Sequence, residues 1–256
     1  MASTHVLRVA DGLVTKRYTD WRRGEHRREW AVLCRLRRHA AGLAPEPVRA
    51  TLDAVPPTVT MTLVPGRPLT DRPGRAEVIG LATALRTLWS VPLGGEPSVD
   101  DWADDLGFAR PLVETAWPGE VPDEIARALA AATAWWRGPD PALLRQRPAH
   151  LVLGHRDPNL ANYLWDGYRV RIVDFEDARA SDPVTELALL AEHLSARHLE
   201  GLLGQFDVDE HRLRAARRLW SMFWLFLLRP GGPAATRNPK DTARLQARRV
   251  LHLLNT

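Results

Sequence analysis

The sequence predicts an α+β protein, and three observations carry that prediction. Residues 5–10 and 13–18 read as two strands around an Asp11-Gly12 turn. Residues 20–41 switch to helical spacing, with Glu29, Leu33 and Leu36 on one stripe at i, i+4, i+7. Residues 151–174 return to strands, two apolar runs on either side of Asp166-Gly167. A chain of 256 residues, 45% hydrophobic, can bury a substantial core in one or two domains.

In the second strand, LVTKRY, alternation puts Val14, Lys16 and Tyr18 on one face. Only two of the 35 cationic residues are lysines, Lys16 and Lys240. Lys240 lies in the loop-like RNPKD and reads as incidental. Lys16 among inward-facing neighbours needs a compensating anion, and a compact ammonium is a standard phosphate ligand. The helix that follows starts at Asp20 as its N-cap and runs to about Ala41, where Gly42 can end it. Glu29 faces inward from it, with Glu25 one turn earlier on the same face. Arg22, Arg23, Arg27, Arg28, Arg35, Arg37 and Arg38 read as its solvated basic side. The net charge of +4 therefore reads as a surface property, and no nucleic-acid motif accompanies it. Strands at 47–53 and 58–64 follow, then Pro65-Gly66. Helices are expected at 75–91, 122–137, 183–200, 208–229 and 239–255.

The longest apolar run, Leu219 to Leu228, is broken by Ser221 and is too short to span a bilayer. A single cysteine, Cys34, excludes an internal disulfide and fits a reducing compartment. Residues 1–20 contain no signal-peptide-type stretch, so a soluble cytoplasmic protein is expected. His193 and His198 are five apart and diverge on a helix, which excludes a zinc pair. Trp220, Phe223, Trp224 and Leu227 at i, i+3, i+4, i+7 read as core, as does Cys34. No G-x-S-x-G elbow appears.

Residues 151–177, LVLGHRDPNLANYLWDGYRVRIVDFED, are the most informative stretch. Asp157 and Asn162 stand five apart in one loop, and Asp174 closes the second strand of the hairpin. Two carboxylates and an amide converge at one end of a small sheet, the equipment for holding Mg2+ and a phosphate chain beside a hydroxyl acceptor.

The pattern H-x-D-x-x-x-x-N, followed a dozen residues later by an apolar pair and Asp-Phe, resembles the aminoglycoside phosphotransferase and choline kinase group. The resemblance runs in order from Val14 to about Leu190. It implies a bilobal protein-kinase-like fold, with a truncated small β lobe at 1–65 and a mainly helical C-terminal lobe at 66–256. It implies an ATP- or GTP-dependent O-phosphotransferase acting on a hydroxylated small molecule, an aminoglycoside-type antibiotic among the candidates. Choline-like, sugar or natural-product alcohols are the other acceptors. By the same resemblance Lys16 and Glu29 position the α- and β-phosphates, with Glu25 in reserve. TMTLVPGRPL would be the hinge, with adenine at backbone groups of Thr62, Leu63 and Val64. Asp157 would take or orient the substrate hydroxyl proton, His155 would brace the loop, and Asn162 and Asp174 would bind Mg2+.

The sequence departs from the pattern at its start. Only fifteen residues precede Lys16, with Gly12 their sole glycine, so neither G-x-G-x-x-G nor Walker A is present. The phosphate-covering hairpin is either missing or encoded upstream of Met1. A nucleotide-binding pseudokinase acting as an interaction module is the alternative expectation. Asp182-Pro183 opens a helix as the family's G-D-P-x-x-D-L-A does, with Glu186 where that pattern has Asp, and Asp182 reads as a cap. Glu176 and Asp177 crowd the metal side, where either could reach a second Mg2+ or be solvated. Arg156 replaces a small residue, and Pro158-Asn159 replaces Leu-His. Finally, nine acids and one base lie between Glu96 and Glu124. They are either an acidic wall that concentrates a polycationic acceptor or helix N-terminal acids with a solvated face.

Overall fold

A computed structural model describes residues 5–95, 97–102 and 104–256. The first two strands, β1 (His5–Ala10) and β2 (Leu13–Tyr18), pair antiparallel across Asp11-Gly12, both at positive φ (53° and 71°) as such a tight turn requires. With β3 (Pro47–Thr51) and β4 (Thr58–Thr62) they form one antiparallel sheet in the order β1-β2-β4-β3. Lys16 stands opposite Val59, and Leu13 opposite Thr62.

Helix α1 (Glu25–His39) crosses this sheet and buries Val32, Leu33 and Leu36 against it. Its N-cap is Gly24, four residues later than expected. Asp20 instead holds the Arg22 guanidinium (2.7 and 3.0 Å), and the chain enters the helix through Gly24 at φ 74°. Nor is the basic side uniformly solvated. Arg35 is buried and makes a two-pronged bond to Asp100 (2.6 and 3.1 Å), while Arg28 donates to the carbonyl of Glu176 (2.7 Å).

The chain leaves the sheet through Gly66, at φ 138°, where an added Cβ would press on the Trp165 carbonyl. Strand β5 (Arg67–Pro68) is followed by helices α2 (Arg75–Trp89), α3 (Pro97–Asp100), α4 (Asp105–Glu114), α5 (Asp123–Trp135) and α6 (Asp140–Arg145). Four short strands come next: β6 (Val152–Gly154), β7 (Tyr163–Trp165), β8 (Val170–Ile172) and β9 (Arg179–Ser181). β7 and β8 form the hairpin around Asp166-Gly167 with β5 on its edge, and β6 pairs with β9. The chain ends in α7 (Pro183–Ala191), α8 (Ala196–Leu203), α9 (Glu210–Leu227) and α10 (Thr242–Asn255).

The single helix expected over 183–200 is two. Its periodicity breaks at 192–195, where the Ser195 N–H leaves the helical ladder for the Asp71 carbonyl (3.0 Å). This separates His193, packed against Trp224, from His198, which bonds to Ser195 (2.6 Å). Asp182 caps α7 through the Val184 N–H (2.9 Å) and pairs with Arg212 of α9. Trp220 is buried as expected, whereas Phe223 and Trp224 are half-buried. No helix among the described residues is long and apolar enough to cross a membrane.

Candidate active site

β2 turns Lys16 inward, where it is only 3% exposed. Its ammonium donates to Glu29 (2.8 Å), Asp174 (2.5 Å) and Glu176 (3.4 Å). Oxygens of these three carboxylates lie within 4.8 Å of one another. Burial alone would lower the pKa of Lys16. The pull of Glu29, Asp174 and Glu176 outweighs burial and holds it above its ordinary value, so the lysine stays charged. The Tyr18 hydroxyl donates to the same Glu29 oxygen, and burial together with that carboxylate raises the phenol's pKa far above normal. The other Glu29 oxygen accepts the Phe175 N–H (3.3 Å). Glu29 thus ties the β2 lysine to the segment leaving β8. The reserve glutamate, Glu25, bonds to Arg23 instead (2.7 Å).

The loop between β6 and β7 carries the second group. His155 is fully buried, with Nε2 reaching the Val173 carbonyl (2.9 Å) and Nδ1 beside the backbone of Asp157. The Asp157 carboxylate accepts the Asn159 N–H (3.0 Å) and the Asn162 side-chain amide (2.7 Å). The Asn162 carbonyl accepts the Val173 N–H (2.9 Å), which sets the backbones of Asn162 and Asp174 side by side. Asp174 itself sits at φ 70°, and its side chain keeps 27% of its surface open.

Glu186 underlies the loop and is buried. One of its oxygens accepts the N–H groups of His155 (2.9 Å) and Arg156 (3.3 Å); the other accepts the Ser181 hydroxyl (2.7 Å). Gly154 is required there, because a Cβ would lie 2.4 Å from both Glu186 and Ser181. Glu186→Ala leaves two backbone donors and a hydroxyl without their acceptor, and is expected to destabilise the fold by about 3 kcal/mol. Urea unfolding checks this, and a loss below about 1 kcal/mol would refute the bracing role.

At the hinge, Thr62 gives its N–H to the Glu46 carbonyl (2.9 Å) and Leu63 gives its own to Gly12 (2.8 Å). The Asp11-Gly12 turn therefore sits at the hinge end of the sheet, while His5, at the other end of β1, meets Glu176 (3.2 Å). Glu176 faces Lys16 rather than solvent, and Asp177 lies 3.8 Å from Arg23, its carboxyl pKa raised by burial.

Most of the described acids of residues 96–124 hold an arginine or open a helix. Asp100 holds Arg35, Asp104 caps α4 through Gly107 (2.8 Å), and Asp105 binds Arg156 and Thr185. Glu114 holds Arg110, Glu124 holds Arg248, and Asp123 opens α5. Glu96 lies outside the described residues.

Residues 4–220 match the phosphotransferase enzyme family, APH. The chain belongs to this family. It is a small-molecule phosphotransferase with a kinase-like fold. Solved structures agree on the fold. The GDP and kanamycin complex of APH(2")-IIia superposes with a TM-score of 0.72 at 17% identity, covering 100% of this chain and 90% of that one. Choline kinase LicA from Streptococcus pneumoniae gives 0.68 at 15% identity over 100% and 90%. A choline/ethanolamine kinase family protein from Mesorhizobium loti gives 0.65 at 20% identity over 100% and 87%. No curated protein sequence matches the chain.

Sequence reasoning gave no role to Tyr18 or Glu186, nor to the Arg156–Asp105 pair, and it set Glu176 at a second Mg2+ or in solvent rather than beside Lys16. Tyr18 carried a signal, its place two residues from Lys16 on the inward face. Glu186 carried a fainter one, a lone acid in the apolar helix PVTELALLA.

Proposed function

We propose that this phosphotransferase moves the γ-phosphoryl group of ATP or GTP to a hydroxyl of a small molecule. The observation that carries the reading is the convergence of Lys16, Glu29 and Asp174 beside a hairpin that also presents Asp157 and Asn162. Residues 1–65 form the nucleotide lobe and 66–256 the catalytic and acceptor lobe. Lys16, oriented by Glu29, meets the α- and β-phosphates. Adenine or guanine lies against Thr62, Leu63 and Val64. The N–H groups of Thr62 and Leu63 are already engaged, so these two residues offer their carbonyl oxygens. Asp157 accepts the acceptor's hydroxyl proton as the new oxygen–phosphorus bond forms and the bond to the diphosphate breaks. His155 and Glu186 hold its loop in place.

The donor set suits Mg2+, since Asp174 and Asn162 offer hard carboxylate and amide oxygens at one end of the hairpin. Bound there, Mg2+ would offset the charge of the phosphate oxygens. The acceptor is a hydroxylated small molecule. Kanamycin in the APH(2")-IIia complex makes aminoglycosides the first class to screen, with choline, sugars and natural-product alcohols beside them. The acids of residues 96–124 give no added support to a polycation, because most have partners of their own.

Calorimetry with ATP and GTP, each with and without Mg2+, tests this on wild type and Asp174→Ala. Mg2+-dependent binding weakened about tenfold or more in the variant is the expected result, equivalent to at least about 1.4 kcal/mol. No binding of either nucleotide at millimolar concentration would overturn the reading and point to a protein partner instead.

A further inference from the structure

We infer that Arg156 is a positioning residue for Asp157, latched to helix α4 through Asp105. Three independent features meet at this one residue. Its backbone is left-handed, at φ 69°, a conformation glycine adopts freely and arginine does not. Strain at a residue directly before Asp157 persists only where the surroundings hold it. The side chain shows what holds it. Its guanidinium pairs with Asp105, the first residue of α4, lies 3.4 Å from the Ser181 hydroxyl, and stacks 5.4 Å over the Trp220 ring of α9. Arg156 and Asp105 side chains are 10% and 15% exposed, so water screens their pairing little.

The third feature is how Asp105 and Glu186 work together. The other Asp105 oxygen accepts the hydroxyl of Thr185 (3.0 Å), the neighbour of Glu186 in α7. Glu186 grips the backbone N–H groups of His155 and Arg156. The peptide entering Asp157 is thus fixed twice, by its backbone from α7 and by its side chain from α4. The Asp157 carboxylate is otherwise bonded to residues downstream of it, Asn159 and Asn162. Where it points relative to the helical lobe therefore depends on the Arg156 anchor. Glycine at 156 would satisfy the backbone but remove the anchor, which separates the two contributions.

The inference rests on the phosphotransfer reading. Its test compares Arg156→Gly, Asp105→Asn, Arg156→Lys and the double variant Arg156→Gly/Asp105→Asn with wild type. The readouts are kcat, the KM and Kd for nucleotide, and hydrogen exchange across residues 155–162. A misplaced reacting group costs about 100-fold, so kcat should fall by roughly 30- to 100-fold in each glycine or asparagine variant. Nucleotide Kd should stay within about twofold, and the double variant should be no worse than either single one, the signature of one shared interaction. Arg156→Lys should fall between, since it keeps the charge without the planar fork. Exchange across 155–162 should quicken in both single variants. Arg156→Gly with kcat within about threefold of wild type, or losses that multiply in the double variant, would overturn the latch. Wild type that transfers phosphate to no acceptor refutes the function instead. Exchange then decides the latch alone, and unchanged exchange in both single variants overturns it.

Discussion

Asp157→Ala is expected to lower phosphoryl transfer by about 10³-fold, the middle of the range for a positioned proton acceptor. Nucleotide affinity should change by less than about threefold. The separation follows from where the contacts lie. Among the described residues the Asp157 carboxylate bonds within its own loop, to Asn159 and Asn162, whereas Lys16 and its three carboxylates form a distinct cluster. Removing the Asp157 carboxylate leaves that cluster intact and takes one acceptor from the Asn162 amide. Steady-state kinetics and calorimetry on the same preparation check both halves. A variant that keeps more than about a tenth of wild-type kcat would refute the assignment, because a positioned proton acceptor contributes at least about 100-fold.

The parts of the site that were legible from sequence share one property: their partners are set by local periodicity or by a short loop. Lys16 announced itself as a lysine in an arginine-rich chain, on the inward face of an alternating strand. Helical spacing put Glu29 and Glu25 on one inward face, the resemblance preferred Glu29, and the structure brings Glu29 to Lys16. The five-residue gap between Asp157 and Asn162 and the hairpin to Asp174 required only a turn and two strands. What could not be read depends on chain segments far apart in sequence. Glu186 reaches His155 across 31 positions and Asp105 reaches Arg156 across 51, so both pairings need the packing of α4 and α7 around the loop. The same holds for Asp100, Asp105 and Glu124, whose partners Arg35, Arg156 and Arg248 lie on distant elements. The break at 192–195 was hidden too, because its cause is a carbonyl at Asp71, over a hundred positions earlier.

Lys16 carries the second large effect. In Lys16→Met three carboxylates that share one ammonium are left facing each other, with Glu29 fully buried among them. Breaking a buried pair by removing one partner costs about 3–5 kcal/mol, and a loss of that size in urea unfolding is expected. Nucleotide affinity should fall as well, because the phosphates would meet three negative groups without their cation. Lys16→Arg is the sharper comparison. The chain uses arginine at nearly every other cationic position, so a site that needed only positive charge would accept it. This one should not. Three oxygens within 4.8 Å of one another close around a compact ammonium, and Lys16 itself is only 3% exposed. A planar guanidinium is larger and directs its donors in a fixed fork. Lys16→Arg is therefore expected to retain more stability than Lys16→Met yet lose nucleotide affinity by about tenfold or more. An arginine variant that binds nucleotide as wild type does would show that charge alone suffices, and the assignment of Lys16 as a size-selected phosphate ligand would fall.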